Sequence, residues 1–151
     1  MVKGVDCLES ILGAELFRKY VAVILTDRGG EFAYADEIER QKDGVVRTRV
    51  FYCDPMSSCQ KGSLENNHEL LRYVCPKQTD LRGLGLTSQD KLNLVLSHVN
   101  SQKTEKLEGK SPLTFTAFLS EELFQKLNAF GIHLIQEDEI TLKPYLLKDQ
   151  K

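Results

Sequence analysis

The sequence predicts an α/β domain built on a small parallel sheet, and three observations carry that expectation. Residues 21–26, VAVILT, form an unbroken apolar run that stops at Asp27 and is followed by Gly29 and Gly30. Residues 45–53 are rich in β-branched and aromatic side chains, the composition of a strand. A segment with helical character lies between the two, which makes the connection a crossover and the strands parallel. Most of the remaining chain has the apolar period of amphipathic helices.

Taken in order, Val5, Leu8, Ile11, Leu12, Leu16 and Phe17 recur at helical spacing and predict a helix over 6–20, with Asp6 and Glu9 as a capping box. The run 21–26 has no polar alternation, so it reads as a strand buried on both faces. A short helix over 32–41 leads to a turn at Lys42, Asp43 and Gly44, and then to the second strand. No third strand is evident, and a two-stranded sheet is marginal in water. After a loop containing Pro55 and Gly62, residues 64–75 read as a helix stopped by Pro76. Its Leu64, Leu70, Leu71, Val74 and Cys75 share one side, and Glu65, His68, Glu69 and Arg72 the other. Thr87 and Asp90 open a helix to about residue 101 with Leu92, Val95, Leu96 and Val99 on its apolar stripe. Residues 102–110 form a charged, solvated linker. Ser111 and Pro112 start one or two packed helices that end near Gly131, and an acidic patch and tail follow. The expected division is a core over 1–101 and a C-terminal helical extension over 102–151.

The 151 residues fit one domain of ordinary soluble composition. A net charge of −2 argues against nucleic-acid binding by bulk electrostatics, although residues 42–82 carry seven basic against five acidic side chains. No apolar run approaches the roughly 18 residues of a membrane span, and the amino terminus lacks the pattern of a secretory signal. The expectation is a cytoplasmic protein without a membrane partner. Cys7, Cys53, Cys59 and Cys75 form no C-x-x-C pair, so reduced thiols are expected rather than a zinc site.

Asp27 is the candidate for chemistry, because ligands of open α/β sheets collect at the carboxyl ends of strands. Gly29 and Gly30 leave room beside it. The plainer reading is that Asp27 caps a turn and that the glycines supply positive φ. Glu65 is the second candidate, on the polar stripe of its helix, where Glu69 is its rival and a solvated face is the plainer reading. Should the two carboxylates share a cleft, their oxygens suit a hard cation such as Mg²⁺.

The stretches TDRGGEF and YCDPMSSCQKGSLENNHELLRYVCPK resemble the DDE-type transposases of the retroviral-integrase superfamily, most of all the bacterial insertion-sequence family numbered thirty. The match is dense and in order from residue 21 to about residue 100. GKSPLTFTAF is similar to the K-T-P segment that follows in that family. The resemblance implies an RNase H-like fold, with Asp27 as the second and Glu65 as the third of three acids that hold two Mg²⁺ (or Mn²⁺) ions for displacement at a DNA phosphodiester. It implies Lys61, Arg72 and Lys77 as phosphate contacts that position DNA. The implied partners are transposon ends and target DNA, in the bacterial cytoplasm at the nucleoid; another copy or a full-length transposase is a further expected partner, through the sheet edge that missing strands leave exposed.

In that family the first catalytic aspartate lies on a strand ahead of the first helix, and this chain starts just before that helix. Asp6, expected as a helix cap, is no substitute. The expectation is therefore a catalytic core incomplete at its N-terminus, inactive alone in strand transfer and with an exposed apolar sheet edge. Cys59 stands where relatives often carry an aromatic, a change expected to affect packing. The alternative is a non-catalytic module that binds DNA or a transposase.

Overall fold

Helix α1 spans Val2–Leu12 and α2 spans Ala14–Tyr20, divided by Gly13 at φ 84°, a conformation that glycine adopts without strain. These coordinates are a computed structural model, which describes residues 1–26, 29–53 and 62–148, with the backbone alone at Glu31 and at residues 62–66. The single helix expected over 6–20 is thus two helices that begin earlier, and Asp6 lies inside α1 rather than at its cap. Its carboxylate has another role. With Glu9 it meets Arg47, which is 4% exposed and donates to Asp6 Oδ1 at 2.6 Å, to Glu9 Oε2 at 2.9 Å and to the carbonyls of Ile38 and Glu37 at 2.8 and 3.0 Å. Burial alone would lower the Arg47 pKa, but the hydrogen bonds and charges of the two carboxylates outweigh it and raise it. Gln41 Nε2 also donates to Glu9 Oε1. This cluster ties α1 to the segment between the strands.

Strand β1, Val23–Thr26, pairs in parallel with β2, Arg49–Tyr52, in the register Val23↔Arg49 to Thr26↔Tyr52. The parallel pair is as the sequence predicts, but both strands are shorter. Residues ahead of β2 are diverted: Val46 makes an antiparallel bridge to Arg40, and the amides of Arg47 and Thr48 donate to the Glu39 carbonyl. Between the strands, a 3-10 turn Gly30–Phe32 and helix α3, Ala35–Glu39, replace the expected helix over 32–41. Burial of β1 on both faces is also corrected. Paired residues of a parallel sheet share a face, and Val23, Leu25 and Phe51 on one face are 56%, 47% and 55% exposed. Thr26 on the opposite face is buried, as is Ile38 of α3, which packs against β2. Helical cover reaches one side of this sheet.

The chain divides into two compact units, Met1–Lys61 and Gly62–Lys151. In the second, α4 spans Gly62–Val74, α5 Leu81–Leu84, α6 Gln89–Ser101, α7 Pro112–Leu119 and α8 Glu121–Phe130. Side chains at the N-caps set the starts of α5 to α8. Asp80 accepts from the Arg82 amide, Ser88 from Lys91, Ser111 from Thr114 and Ser120 from Leu123. Ser88 caps α6, not Thr87. Gly131 ends α8 at φ 99°.

The core of this unit joins Val74 of α4, Val95 and Val99 of α6, and Leu147 from a 3-10 turn Pro144–Leu147. The segment between α8 and that turn is held along α6 by side chains. Asn93 donates to the Phe130 carbonyl at 2.6 Å, Ser97 and Ser101 accept the amides of His133 and Ile135 at 2.9 Å each, and His98 Nδ1 accepts the Thr141 amide at 3.0 Å. Asn93, Ser97 and Ser101 recur every four residues and form one row on the helix. The chain is mixed α/β, mostly helical, with one small sheet among the described residues.

Candidate functional site

The parallel pair brings the carboxyl ends of β1 and β2 side by side. Thr26, the last residue of β1, is 3% exposed, and its carbonyl accepts the Cys53 amide at 2.7 Å, extending the ladder one step past β2. Tyr52 Oη donates to the Phe32 carbonyl at 2.7 Å, so the end of β2 holds the turn that follows β1. Asp27 follows Thr26 directly in sequence and lies outside the described residues. Gly29 has φ −61° and ψ 149°, an ordinary extended geometry, and Gly30 starts a 3-10 turn. Neither glycine has a positive φ, which corrects that half of the plainer reading, while the capping role of Asp27 falls outside the described residues. A Cβ on Gly30 would meet nothing within 4 Å, so the surroundings of this residue are open.

Glu65 is in α4, with its side chain outside the described residues. The same helix leaves His68, Glu69 and Arg72 exposed and turns Val74 fully inward. The polar stripe read from the sequence is therefore solvent-facing at the positions described. Arg72, in the last turn of α4, and Lys77, in the turn after Pro76, are both exposed. Lys61 lies outside the described residues. Asp27 belongs to the first compact unit and Glu65 to the second.

Among the described residues no group of three His, Cys, Asp or Glu side chains gathers as a metal site. Burial pushes the Cys75 thiol up, so it stays protonated at neutral pH and is a poor nucleophile or ligand. Cys7 is exposed, Cys53 buried, and neither is in a disulfide. An open cavity of about 580 Å³ is lined by Arg82, Leu86, Thr87, Ser88, Gln89 and Leu92. Sequence reading passed over this Arg82 cavity, since no motif marks it and its lining joins the region of α5 to the start of α6. No helix of the described residues is long and apolar enough to cross a membrane.

Comparison with known proteins adds what the geometry alone lacks. The chain is 35% identical over 91 residues, 60% of its length and 25% of the relative's, to the transposase for insertion sequence element IS1086 of Cupriavidus metallidurans. It is also 35% identical over 88 residues, 57% of its length and 21% of the relative's, to transposase InsI for insertion sequence element IS30A of Escherichia coli. The chain thus spans between a fifth and a quarter of the curated relatives it matches. No family model matches it, and no solved structure does. Over the matched residues, the chain is similar to insertion-sequence transposases of the IS30-like group, the group that its two motif blocks resemble.

Proposed function

We propose that this chain is part of the catalytic region of a DDE transposase with an RNase H-like core, and that it serves DNA transposition. The observation that carries the reading is the similarity to two insertion-sequence transposases, joined to the position of its acids. Asp27 comes directly after a parallel strand, and Glu65 is in a helix with a solvent-facing polar stripe. The donor set fits the implied ion, because two carboxylates offer the hard oxygen ligands that Mg²⁺ or Mn²⁺ prefers, with phosphate oxygens and water filling the remaining positions. In this reading Asp27 and Glu65 hold the ions. Divalent ions held there would supply Lewis-acid activation of an attacking oxygen and charge stabilisation of a leaving oxygen at a DNA phosphodiester. Lys61, Arg72 and Lys77 engage backbone phosphates and position the strand without reading its bases. The substrates are element ends and target DNA at the bacterial nucleoid.

The test is Mn²⁺ titration of the chain, followed by electron paramagnetic resonance in the presence of a short DNA duplex. Replacement of either acid, Asp27→Asn or Glu65→Gln, is expected to weaken binding about tenfold or more, as removal of one ligand from a sparse oxygen site does. Unchanged binding in both variants would overturn the assignment. Arg72→Ala and Lys77→Ala should each lower the salt dependence of DNA binding by about one counterion, without a change in sequence preference.

A further inference from the structure

His98 is 6% exposed on α6, and its Nδ1 accepts the backbone amide of Thr141 at 3.0 Å. That geometry requires the neutral ring with its proton on Nε2, because an Nδ1–H would face the Thr141 N–H donor to donor. Thr141 is not an isolated contact. It stands between the acidic 3-10 turn Glu137–Glu139 and the turn Pro144–Leu147, whose Leu147 closes the core against Val74, Val95 and Val99. The latter turn packs on both α4 and α6. Its hold on α6 includes a hydrogen bond from Lys91 Nζ to the Leu147 carbonyl at 3.2 Å.

We propose that His98 is a proton-sensitive latch for the segment 139–147: its neutral ring fastens Thr141 to α6, and protonation releases the turn that seats Leu147 against α4. The surroundings set the direction. Burial disfavours the charged ring and lowers its pKa below the ordinary 6.5, and Glu139 works against this by attracting the proton. Glu139 is the charged group resolved as acting on the ring, and α7, PLTFTAFL, carries no ionisable side chain. Well above 6.5 the ring is neutral in the latched and released states alike, so its protonation does not shift the equilibrium there. Below it the released state takes up protons first, and the released fraction rises by up to about tenfold per pH unit until the lower pKa of the latched ring is reached. This inference does not depend on the metal-binding role of Asp27 or Glu65. It concerns the seating of the helix that carries Glu65.

Amide hydrogen exchange of the intact chain tests it, with rates corrected for the intrinsic effect of pH. Protection of Thr141 and of residues 142–147 is expected to fall several-fold between about pH 7 and about pH 5.5, while α8 keeps its protection. His98→Asn places an amide oxygen near the Nδ1 position and does not titrate, so its protection should be flat over the same range. A flat wild-type profile, or an unchanged pH dependence in His98→Asn, overturns the latch. Should that variant not fold, nuclear magnetic resonance on the wild type decides. The His98 ring and the Thr141 amide must then titrate with one midpoint, and separate midpoints overturn the proposal.

Discussion

The Ser97 hydroxyl donates to the Asn93 carbonyl at 2.7 Å and accepts the backbone amide of His133 at 2.9 Å, so one side chain joins α6 to the segment beyond α8. Ser101 accepts the Ile135 amide in the same way one helical turn later. Amides two residues apart on an extended chain point to the same side, which is why serines four apart on a helix can take both. Ser97→Ala should cost about 1–3 kcal/mol, because it strands a partly buried amide. The pair Ser97→Ala, Ser101→Ala should lose less than the sum of the single changes, since the first already loosens the segment that the second holds. Urea midpoints of the two single variants and the double variant measure this, and strict additivity would show that the two clips act independently.

Arg47 makes a second set of predictions, in which burial separates two carboxylates. The side chain of Glu9 is 11% exposed and that of Asp6 is 48% exposed, although both meet the same guanidinium nitrogen. Solvent screens the Asp6 pair, so Asp6→Asn should cost under about 1 kcal/mol. Arg47→Ala should cost about 3–5 kcal/mol, because it leaves the Glu9 carboxylate buried without its cation and two carbonyls without their donor. Thermal unfolding at neutral pH reads both. Equal losses would mean that the cluster is more open to water than its geometry states.

The local elements were largely legible in the sequence, and the places where reading failed share a cause. Ser111 with Pro112, and Gly131 after an apolar stripe, announce α7 and α8 because capping is a local interaction of a few residues. The parallel pairing of β1 and β2 followed from the crossover between them. Asp6 was misread because a capping box and a mid-helix ion pair have the same sequence signature, and Arg47, which decides between them, is far along the chain. The exposure of Val23 and Leu25 was missed for a related reason. An apolar run states what a strand could bury, whereas its actual cover comes from other elements. Asp27 and Glu65 are candidates from strand-end chemistry and motif resemblance alone, and comparison with the IS1086 and IS30A transposases supports the lineage that those motifs implied.

Leu147 shows how much the tail contributes without any motif to mark it. The side chain is 1% exposed and completes the cluster of Val74, Val95 and Val99. Leu147→Ala should cost about 2–5 kcal/mol, from lost transfer energy and from the cavity left behind. Leu147→Met should cost less than about 1.5 kcal/mol, because the volume is kept. Denaturant midpoints distinguish the two. Near-equal effects would place Leu147 outside the cooperative core.

Two glycines with positive φ test whether conformation or space dominates. Gly44 has φ 84° with nothing within 4 Å of an added Cβ, so Gly44→Ala should cost about 1 kcal/mol, the strain of a left-handed residue alone. Gly85 has φ 108°, and its Cβ would stand 2.5 Å from the Leu147 carbonyl oxygen and 3.1 Å from the carbonyl carbon. Those are backbone atoms of the turn that seats Leu147, and they cannot swing aside as a side-chain end would. Gly85→Ala should therefore cost more than about 2 kcal/mol, with overpacking added to strain. It should also displace the turn Pro144–Leu147, raising the exchange of its amides above that in Gly44→Ala. Equal unfolding midpoints for the two variants, with no change in that turn, would show that the α5 end and the tail are not in contact in solution.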